Sequence, residues 1–474
     1  MFAFARFGWR NPNLWKNMFI FYDIETTGTN IVFDQILQFG AILVDEHLVE
    51  IDRFEVRCRL LPWVVPSPGA LHVTQTPVSK ILDPRLPDFF EMMRDIAARL
   101  KRWIPAIFIG YNSIRFDEPI LQRAFWQALL PPYLTVTEGN SRLDLLRIAR
   151  TAAYLQPGTL TVPTRDDGKP TFRLEELAYA NGLTENRAHD ALRDAEATLF
   201  LARLIAERCP RVWRILASRT SKSSLNAILA PHVPVFYFHN GGISAPTFCQ
   251  RIDISSDSTS HAVLARLNYD WRSEQKKSAA TKQRGIVDTR GTLFRVPLNK
   301  APIVFSRSEI DKLLGLRPAP FELEQTKFLS GASEYCAHLI NSIDTGTYEE
   351  VERDKEVEEM IFDGFASKED TRLMSDFHRS APDQQALIAR AFTDDRFRRL
   401  ARRILFVSAP QSLSQRERHA VQLGIKSRLA GLRDGQHRWR SILDALAELN
   451  DKSANGLSPG QSAISAWLQS YGST

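Results

Sequence analysis

The chain has 474 residues, 44% of them hydrophobic, too long for one compact domain and apolar enough for several cores. Lys and Arg number 61 against 55 Asp and Glu, a net charge of +6 that permits a polyanionic partner without demanding one. Four scattered cysteines, Cys58, Cys209, Cys249 and Cys336, form no C-x-x-C pair, which excludes a zinc ribbon or a disulfide framework and suits a reducing cytoplasm.

No run of 18 apolar residues occurs, so no membrane span is expected. In residues 1–17, Arg6 and Arg10 interrupt the apolar positions, and the segment reads as an N-terminal extension rather than a targeting signal. Phe19-Ile20-Phe21-Tyr22 then reads as a buried strand that ends on two carboxylates, Asp23 and Glu25. Strand side chains alternate, so these two project from one side, roughly 6–7 Å apart along the backbone. Ile24 points the other way, into the core, and Thr26-Thr27-Gly28 break the strand. Paired acids at a strand end repel unless a cation sits between them, so divalent metal binding is the natural use of the pair.

Further along, strand-like and helix-like segments alternate to about Cys209, the pattern of an α/β domain. Strands are expected at 38–44, 54–58 and 106–110, and a helix from Asp88 to Trp103 with Phe89, Met92, Met93, Ile96, Leu100 and Trp103 on one face. Asp117 comes before another helix, and taken alone Asp117-Glu118-Pro119 reads first as an N-cap with proline in the first turn. Asp194 lies near the start of an amphipathic helix from Ala191 to Glu207. His189 and Asp194 would sit about 140° apart in one continuous helix. His189 is therefore expected in the loop entering it, with Asp190 as the rival carboxylate on the face of Asp194. Four acids from a strand and two helices can converge on a pair of divalent cations about 3.5–4 Å apart.

Between about 212 and 345 five short strands are expected, at 235–238, 248–252, 262–267, 294–298 and 303–305, as a small barrel or sandwich. The polar, basic stretch from Arg272 to Arg290 reads as a solvated loop. Residues 349–370 hold ten Asp/Glu against three Lys/Arg and mark a boundary, beyond which the chain reads as helical. The window 396–440 holds twelve Lys/Arg and two Asp/Glu. It reads as either a solvated helix face or a track for a phosphate backbone.

Asp23-Ile24-Glu25-Thr26-Thr27-Gly28, Gly110-Tyr111-Asn112 with Phe116-Asp117, and His189 five residues ahead of Asp194 resemble the DEDD exonucleases, with the histidine of the DEDDh branch. From Met18 onward, Gly168-Lys169-Pro170-Thr171-Phe172-Arg173-Leu174, Asn299-Lys300-x-Pro302 and Phe362-Asp363-Gly364-Phe365 resemble the bacterial exodeoxyribonuclease I family. The resemblance implies a ribonuclease-H-like α/β exonuclease domain over 18–211, an SH3-like β domain over 212–350 and an α-helical C-terminal domain over 351–474. It implies that Asp23, Glu25, Asp117 and Asp194 hold two Mg²⁺ ions, for which Mn²⁺ can substitute, with His189 as general base. It assigns substrate contacts to Glu25, Arg173, Phe172, His72, Val73, Thr74 and Lys222. Gln122 and Thr137 stand where basic or aromatic DNA contacts belong in that pattern.

The implied activity is removal of 5′-mononucleotides from the 3′ end of single-stranded DNA, in repair or recombination. The implied partner is the C-terminal tail of single-stranded DNA-binding protein, although Gln156 and Ile215 replace residues expected to receive it. A cytoplasmic monomer is expected. Two alternatives stay open: a DEDDh nuclease acting on RNA ends or as a proofreader, and a single-strand-binding protein without chemistry.

Overall fold

The computed structural model describes residues 18–184, 189–239, 245–253, 260–281, 291–344, 354–431, 438–451 and 459–471. The expected N-terminal extension over 1–17 lies outside them. Five strands form the first sheet: β1 (Phe19–Thr26), β2 (Ile36–Val44), β3 (Glu50–Arg57), β4 (Ile107–Gly110) and β5 (Ser141–Asp144), in the order β3-β2-β1-β4-β5. The pairs β1–β2 and β2–β3 are antiparallel, while β1–β4 and β4–β5 are parallel.

β1 is central and apolar on both faces until its last residues. Ile20, Tyr22 and Ile24 face a core containing Phe108, Met92, Met93, Ile96 and Phe125, which continues into Phe377 and Phe397 of the C-terminal helices. Phe19 and Phe21 face a second core with Leu201, Ala202 and Ile205, which continues into Phe236 and Phe238 of the middle sheet. Asp23 and Glu25 extend this second face. The strand thereby orders the molecule: each of its faces opens toward a different later unit.

The helices that carry or support the acids are α1 (Phe89–Trp103), α2 (Asp117–Gln127), α3 (Leu145–Leu155), α4 (Leu174–Ala180) and α5 (Ala191–Arg208). Asp88 and Glu91 close a capping box on α1, and all six apolar residues expected on its inner face are buried. β5, α3 and α4 escape a reading by periodicity. Ser141–Asp144 is only four residues long and carries a buried arginine, Arg142, at 7% exposure.

α5 lies across β1 and β2 at unusually close range. A Cβ added at Gly40 would come within 2.3 Å of the Leu192 backbone nitrogen and 2.5 Å of the Ala191 carbonyl carbon. Gly40 is the β2 partner of Asp23, and Gln38 is the partner of Glu25. Gln38 is 1% exposed, and its Oε1 accepts a hydrogen bond from the Ala191 backbone N–H at 3.2 Å. Small size at residue 40 and an amide at residue 38 therefore seat the start of α5 directly over the acid-bearing end of β1.

The second sheet, all antiparallel, comprises β6 (Pro234–Phe238), β7 (Thr247–Arg251), β8 (His261–Arg266), β9 (Leu293–Pro297) and β10 (Ile303–Ser306), in the order β10-β6-β7-β8-β9. All five expected strands are present, each within a residue or two of its expected bounds. The same region also holds helices, including Lys222–Ile228 and Trp271–Thr281. The latter corrects the solvated-loop expectation for Arg272–Arg290, of which 282–290 lie outside the described residues. Trp271 is fully buried, with its indole N–H on the Arg266 carbonyl at 2.6 Å, and this anchors one end of a polar helix.

Beyond residue 354 the described chain is helical, as expected, but its acidic start is not a mere boundary. Glu358, in the short helix Val357–Phe362, is 1% exposed between Arg403 at 2.7 Å and Arg428 at 2.8 Å. Burial pushes its carboxyl up, yet the two guanidinium groups hold it down at about 2. The unit docks on the first sheet through apolar contact and hydrogen bonds. Trp126 packs on Phe397 with ring centres 5.3 Å apart, and its indole donates to the Val357 carbonyl at 3.2 Å.

Gly40→Ala should destabilise the protein by about 1–3 kcal/mol, the usual cost of overpacking, because the obstacle is the helix backbone and not a flexible side chain. Denaturant unfolding against the parent protein measures it; an unchanged midpoint would show that α5 can move away freely.

Candidate metal and nuclease site

The four acids arrive by three local routes. Asp23 and Glu25 come from β1, which ends in a turn held by Thr27: its N–H donates to the Gln35 carbonyl at 2.9 Å and its hydroxyl to Asp34 Oδ1 at 2.8 Å. Asp117 is the first residue of α2 and is 5% exposed. The chain reaches it from β4 through Gly110 and through Asn112, whose φ of 60° lies in the left-handed region that asparagine tolerates. The Asp144 carboxylate receives the Asn112 N–H at 3.0 Å and fixes that turn. Asp194 sits in the first turn of α5.

His189 lies in the loop ahead of α5, as expected, at a φ of 68°. The nearby His189 backbone N–H acts to lower the Asp194 carboxyl against its overall rise. Ligand atoms of Glu25, His189 and Asp194 lie within 4.8 Å of one another. Asp190, the rival, is otherwise engaged. It caps α5 by accepting from the Arg193 N–H at 3.3 Å, and it pairs with Arg57 at 2.5 Å.

Electrostatics mark the same spot. Burial first, then the charges of Asp117, Asp194 and Glu25, push the Asp23 carboxyl well above the usual carboxylate range. Burial, with Asp194, Asp190 and Asp117 nearby, pushes Glu25 up to about 8. Asp117 also reaches about 8, through burial and the neighbouring Glu118 and Asp144. Asp194 rises to about 7, through burial and then Glu175 of α4. Glu25, His189 and Asp194 meet by distance, with Asp23 and Asp117 near enough to act by charge, and such a donor set fits a divalent cation.

The expected substrate contacts are less concentrated. Phe172 is half-buried: its carbonyl accepts from the Tyr111 hydroxyl at 2.6 Å and its ring lies under Arg150. Arg173 caps α4, exposed, with Glu176 at 3.3 Å. His72 and Val73 are exposed at the end of the helix Pro68–Val73, and Thr74 is its half-buried C-cap. That segment is tied to the metal turn by the Ser67 N–H on the Thr27 carbonyl at 2.7 Å. Lys222 is exposed at the first position of its helix in the middle unit. Thr137 is exposed and returns its hydroxyl to the Tyr133 carbonyl, and Gln156 donates to the Arg208 carbonyl.

Part of the basic window 396–440 is turned inward, while Arg416 and Lys426 are exposed. Arg399, Arg403 and Arg428 surround Glu356 at 3.3–3.8 Å, Arg438 pairs with Glu359, and Arg440 reaches Asp34 at 3.5 Å and Glu448 at 3.7 Å. Glu356, Glu358 and Glu359 of the acidic stretch thus pair with Arg399, Arg403, Arg428 and Arg438 of the basic one. Residues that the sequence did not single out are Gln38, Gly40, Arg57, Asp144 and Glu175. Their roles depend on strand pairing and on which helix ends meet, which a linear motif does not encode.

Two family models match the chain: one described as Exonuclease (RNase_T) over residues 20–201, and one described as Exonuclease I C-terminal domain over residues 355–474. The chain carries an exonuclease domain and an exonuclease I C-terminal domain. Exodeoxyribonuclease I of Escherichia coli strain K12 is 34% identical over 224 residues, 46% of each chain. That of Haemophilus influenzae is 30% identical over 213 residues, 44% of this chain and 45% of the relative. The matched part thus spans about half the length of these relatives. The fold likeness extends further. E. coli exonuclease I in complex with a dA16 oligonucleotide matches with a TM-score of 0.81 at 22% identity, covering 97% of this chain and 99% of that one. A zinc-bound E. coli exonuclease I–single-stranded DNA complex matches with a TM-score of 0.78, also at 22% identity, over 96% and 99% of the two chains. The fold is that of exonuclease I.

Because the folded carboxyls hold protons that the unfolded chain has released, the metal-free protein should lose stability as pH rises from about 5 toward 8. Thermal melting across that range, with and without a divalent cation, reads this directly. The cation should raise the melting temperature more at pH 8 than at pH 6, since its ligands must be deprotonated to bind. A metal-free melting temperature that climbs steadily to pH 8 would mean that the four acids do not repel one another.

Proposed function

We propose that this protein is a 3′-to-5′ exonuclease that degrades single-stranded DNA to 5′-mononucleotides, with two Mg²⁺ ions that Mn²⁺ can replace. The observation that carries the reading is the meeting of Glu25, His189 and Asp194 within 4.8 Å, beside Asp23 and Asp117. The exodeoxyribonuclease I relatives and the oligonucleotide-bound structures of the same fold support the substrate and the direction. The division into 18–211, an SH3-like 212–350 and 351–474 belongs to the same proposal.

Asp23, Glu25, Asp117 and Asp194 are the residues that would hold the metal. When bound, divalent cations in such a site supply activation of the attacking water and stabilisation of the leaving 3′ oxygen. His189 accepts the proton of the attacking water, from the loop that leads into α5. Arg173, exposed at the start of α4, neutralises phosphate charge at the strand terminus. Phe172, His72, Val73, Thr74 and Lys222 contact the strand. The protein works as a monomer in the cytoplasm; no described helix is long and apolar enough to cross a membrane. The tail of single-stranded DNA-binding protein is its partner, a reading supported by a solved SSB/exonuclease I structure of the same fold.

Release of mononucleotides from 5′- and 3′-labelled DNA, RNA and duplex ends tests this reading. Asp194→Asn should abolish Mg²⁺-dependent release, whereas Asp190→Asn, which keeps a helix cap, should leave it within about tenfold. His189→Ala should slow the chemical step by about 10²–10⁴-fold with little change in DNA affinity. An active Asp194→Asn beside a dead Asp190→Asn would reverse the ligand assignment, and equal turnover of RNA would replace the substrate.

A further inference from the structure

The motif Asn299-Lys300-x-Pro302 and the buried carboxylate of Glu118 have no part in the chemistry above, and they meet at one side chain. Arg142 stands on β5, opposite Phe108 of β4. Its Nη1 donates to Glu118 Oε2 at 2.6 Å, and its Nη2 donates to the Asn299 carbonyl at 2.8 Å. Glu118 is 1% exposed and well supplied with donors: Oε1 accepts from the Tyr22 hydroxyl, and Oε2 also accepts from Thr135 Oγ1 at 2.7 Å. Such a buried charge needs several partners to offset its desolvation, and removal of one leaves the others uncompensated.

The placement in the chain gives this network its meaning. Tyr22 immediately precedes Asp23, and Glu118 immediately follows Asp117. The carboxylate of Glu118 therefore ties together the backbone neighbours of two metal-holding acids on two different elements, β1 and α2. Asp144, two residues past Arg142 on β5, holds the turn through Asn112 that leads to Asp117. On the far side, the short helix Leu298–Lys300 ends at Ala301, with a φ of 42°. Its successive carbonyls, of Asn299 and Lys300, accept from Arg142 and from Arg147, the latter at 2.7 Å.

We propose that Arg142 is a positioning residue that makes the carboxylate site depend on the docked middle sheet, through the forked contact of its guanidinium with Glu118 and the Asn299 carbonyl. One arm holds the start of α2, and with it Asp117. The other arm is held in place by the middle unit. The second sheet thereby acts on metal binding as well as on the grip of a substrate. The inference rests on the exonuclease reading for its turnover assay, but not for its metal assay.

In the full-length protein, Arg142→Lys keeps a cation beside Glu118 while losing the planar fork that reaches Asn299 as well. Mn²⁺ affinity, measured by calorimetry on the folded variant, should fall about 10–100-fold, the range for loss of a group that orients a metal ligand. With single-stranded DNA, kcat should fall while KM stays within about twofold. Thr135→Val removes one donor from Glu118 without touching the docked turn; it should give a smaller loss of Mn²⁺ affinity and carries the test if the lysine variant does not fold. Wild-type Mn²⁺ affinity in folded Arg142→Lys, or in Thr135→Val when that variant carries the test, would overturn the inference and leave Arg142 a purely structural ion pair. Wild-type protein that binds Mn²⁺ yet releases no nucleotide would overturn the exonuclease reading and leave this one standing.

Discussion

Like charges confined in a cleft set the terms for the rest of the molecule. Asp23, Glu25, Asp117 and Asp194 each disfavour the ionisation of at least one of the others or are disfavoured by a further acid nearby, and burial compounds the effect. A chain can hold such a group together only if each acid sits on an element fixed by something else. β1 is fixed by apolar contact on both faces, and the start of α5 by the approach over Gly40 and the amide of Gln38. α2 is fixed by the donors gathered on Glu118. The repulsion that strains the metal-free site is also what makes it receptive to a cation.

That fixing is not local to the nuclease sheet. The two faces of β1 belong to two separate cores, and each core runs on into a later unit, one into the C-terminal helices and one into the middle sheet. Tyr154 meets Phe238 across the second of these junctions with ring centres 5.8 Å apart, as Trp126 meets Phe397 across the first. Buried apolar surface of this kind is non-directional, and polar contacts set the register: Arg142 and Arg147 on the carbonyls of the 298–300 turn, and Glu448 on the Ser67 hydroxyl and the Gly69 N–H.

Charge in the C-terminal unit follows a related logic. Arg403 and Arg428 enclose Glu358, and Arg399 joins them loosely around Glu356. Breaking such a buried pair by removing one partner costs far more than the pair returns on forming, so the network specifies how the acidic segment lies against the basic helices. It also withdraws Arg403 and Arg428 from the surface available to a phosphate backbone.

The chain by itself determined the features that depend on near neighbours. Alternation along Phe19–Glu25 put both acids on one face of a buried strand; the spacing of His189 and Asp194 put the histidine in a loop; five short apolar runs marked the second sheet. These follow from backbone periodicity, which is written in consecutive residues. Tertiary structure decided the choices among equals. Asp194 and Asp190 were equals by spacing, and the fold made Asp190 the cap of α5 and the partner of Arg57 from β3. Asp117 looked like an ordinary helix start until β1 and α5 were brought beside it. Arg399, Arg403, Arg428 and Arg438 were indistinguishable from their basic neighbours until Glu356, Glu358 and Glu359 folded onto them. In each case the deciding partner is distant in sequence, and charge and size acquire their meaning only from what packs against them.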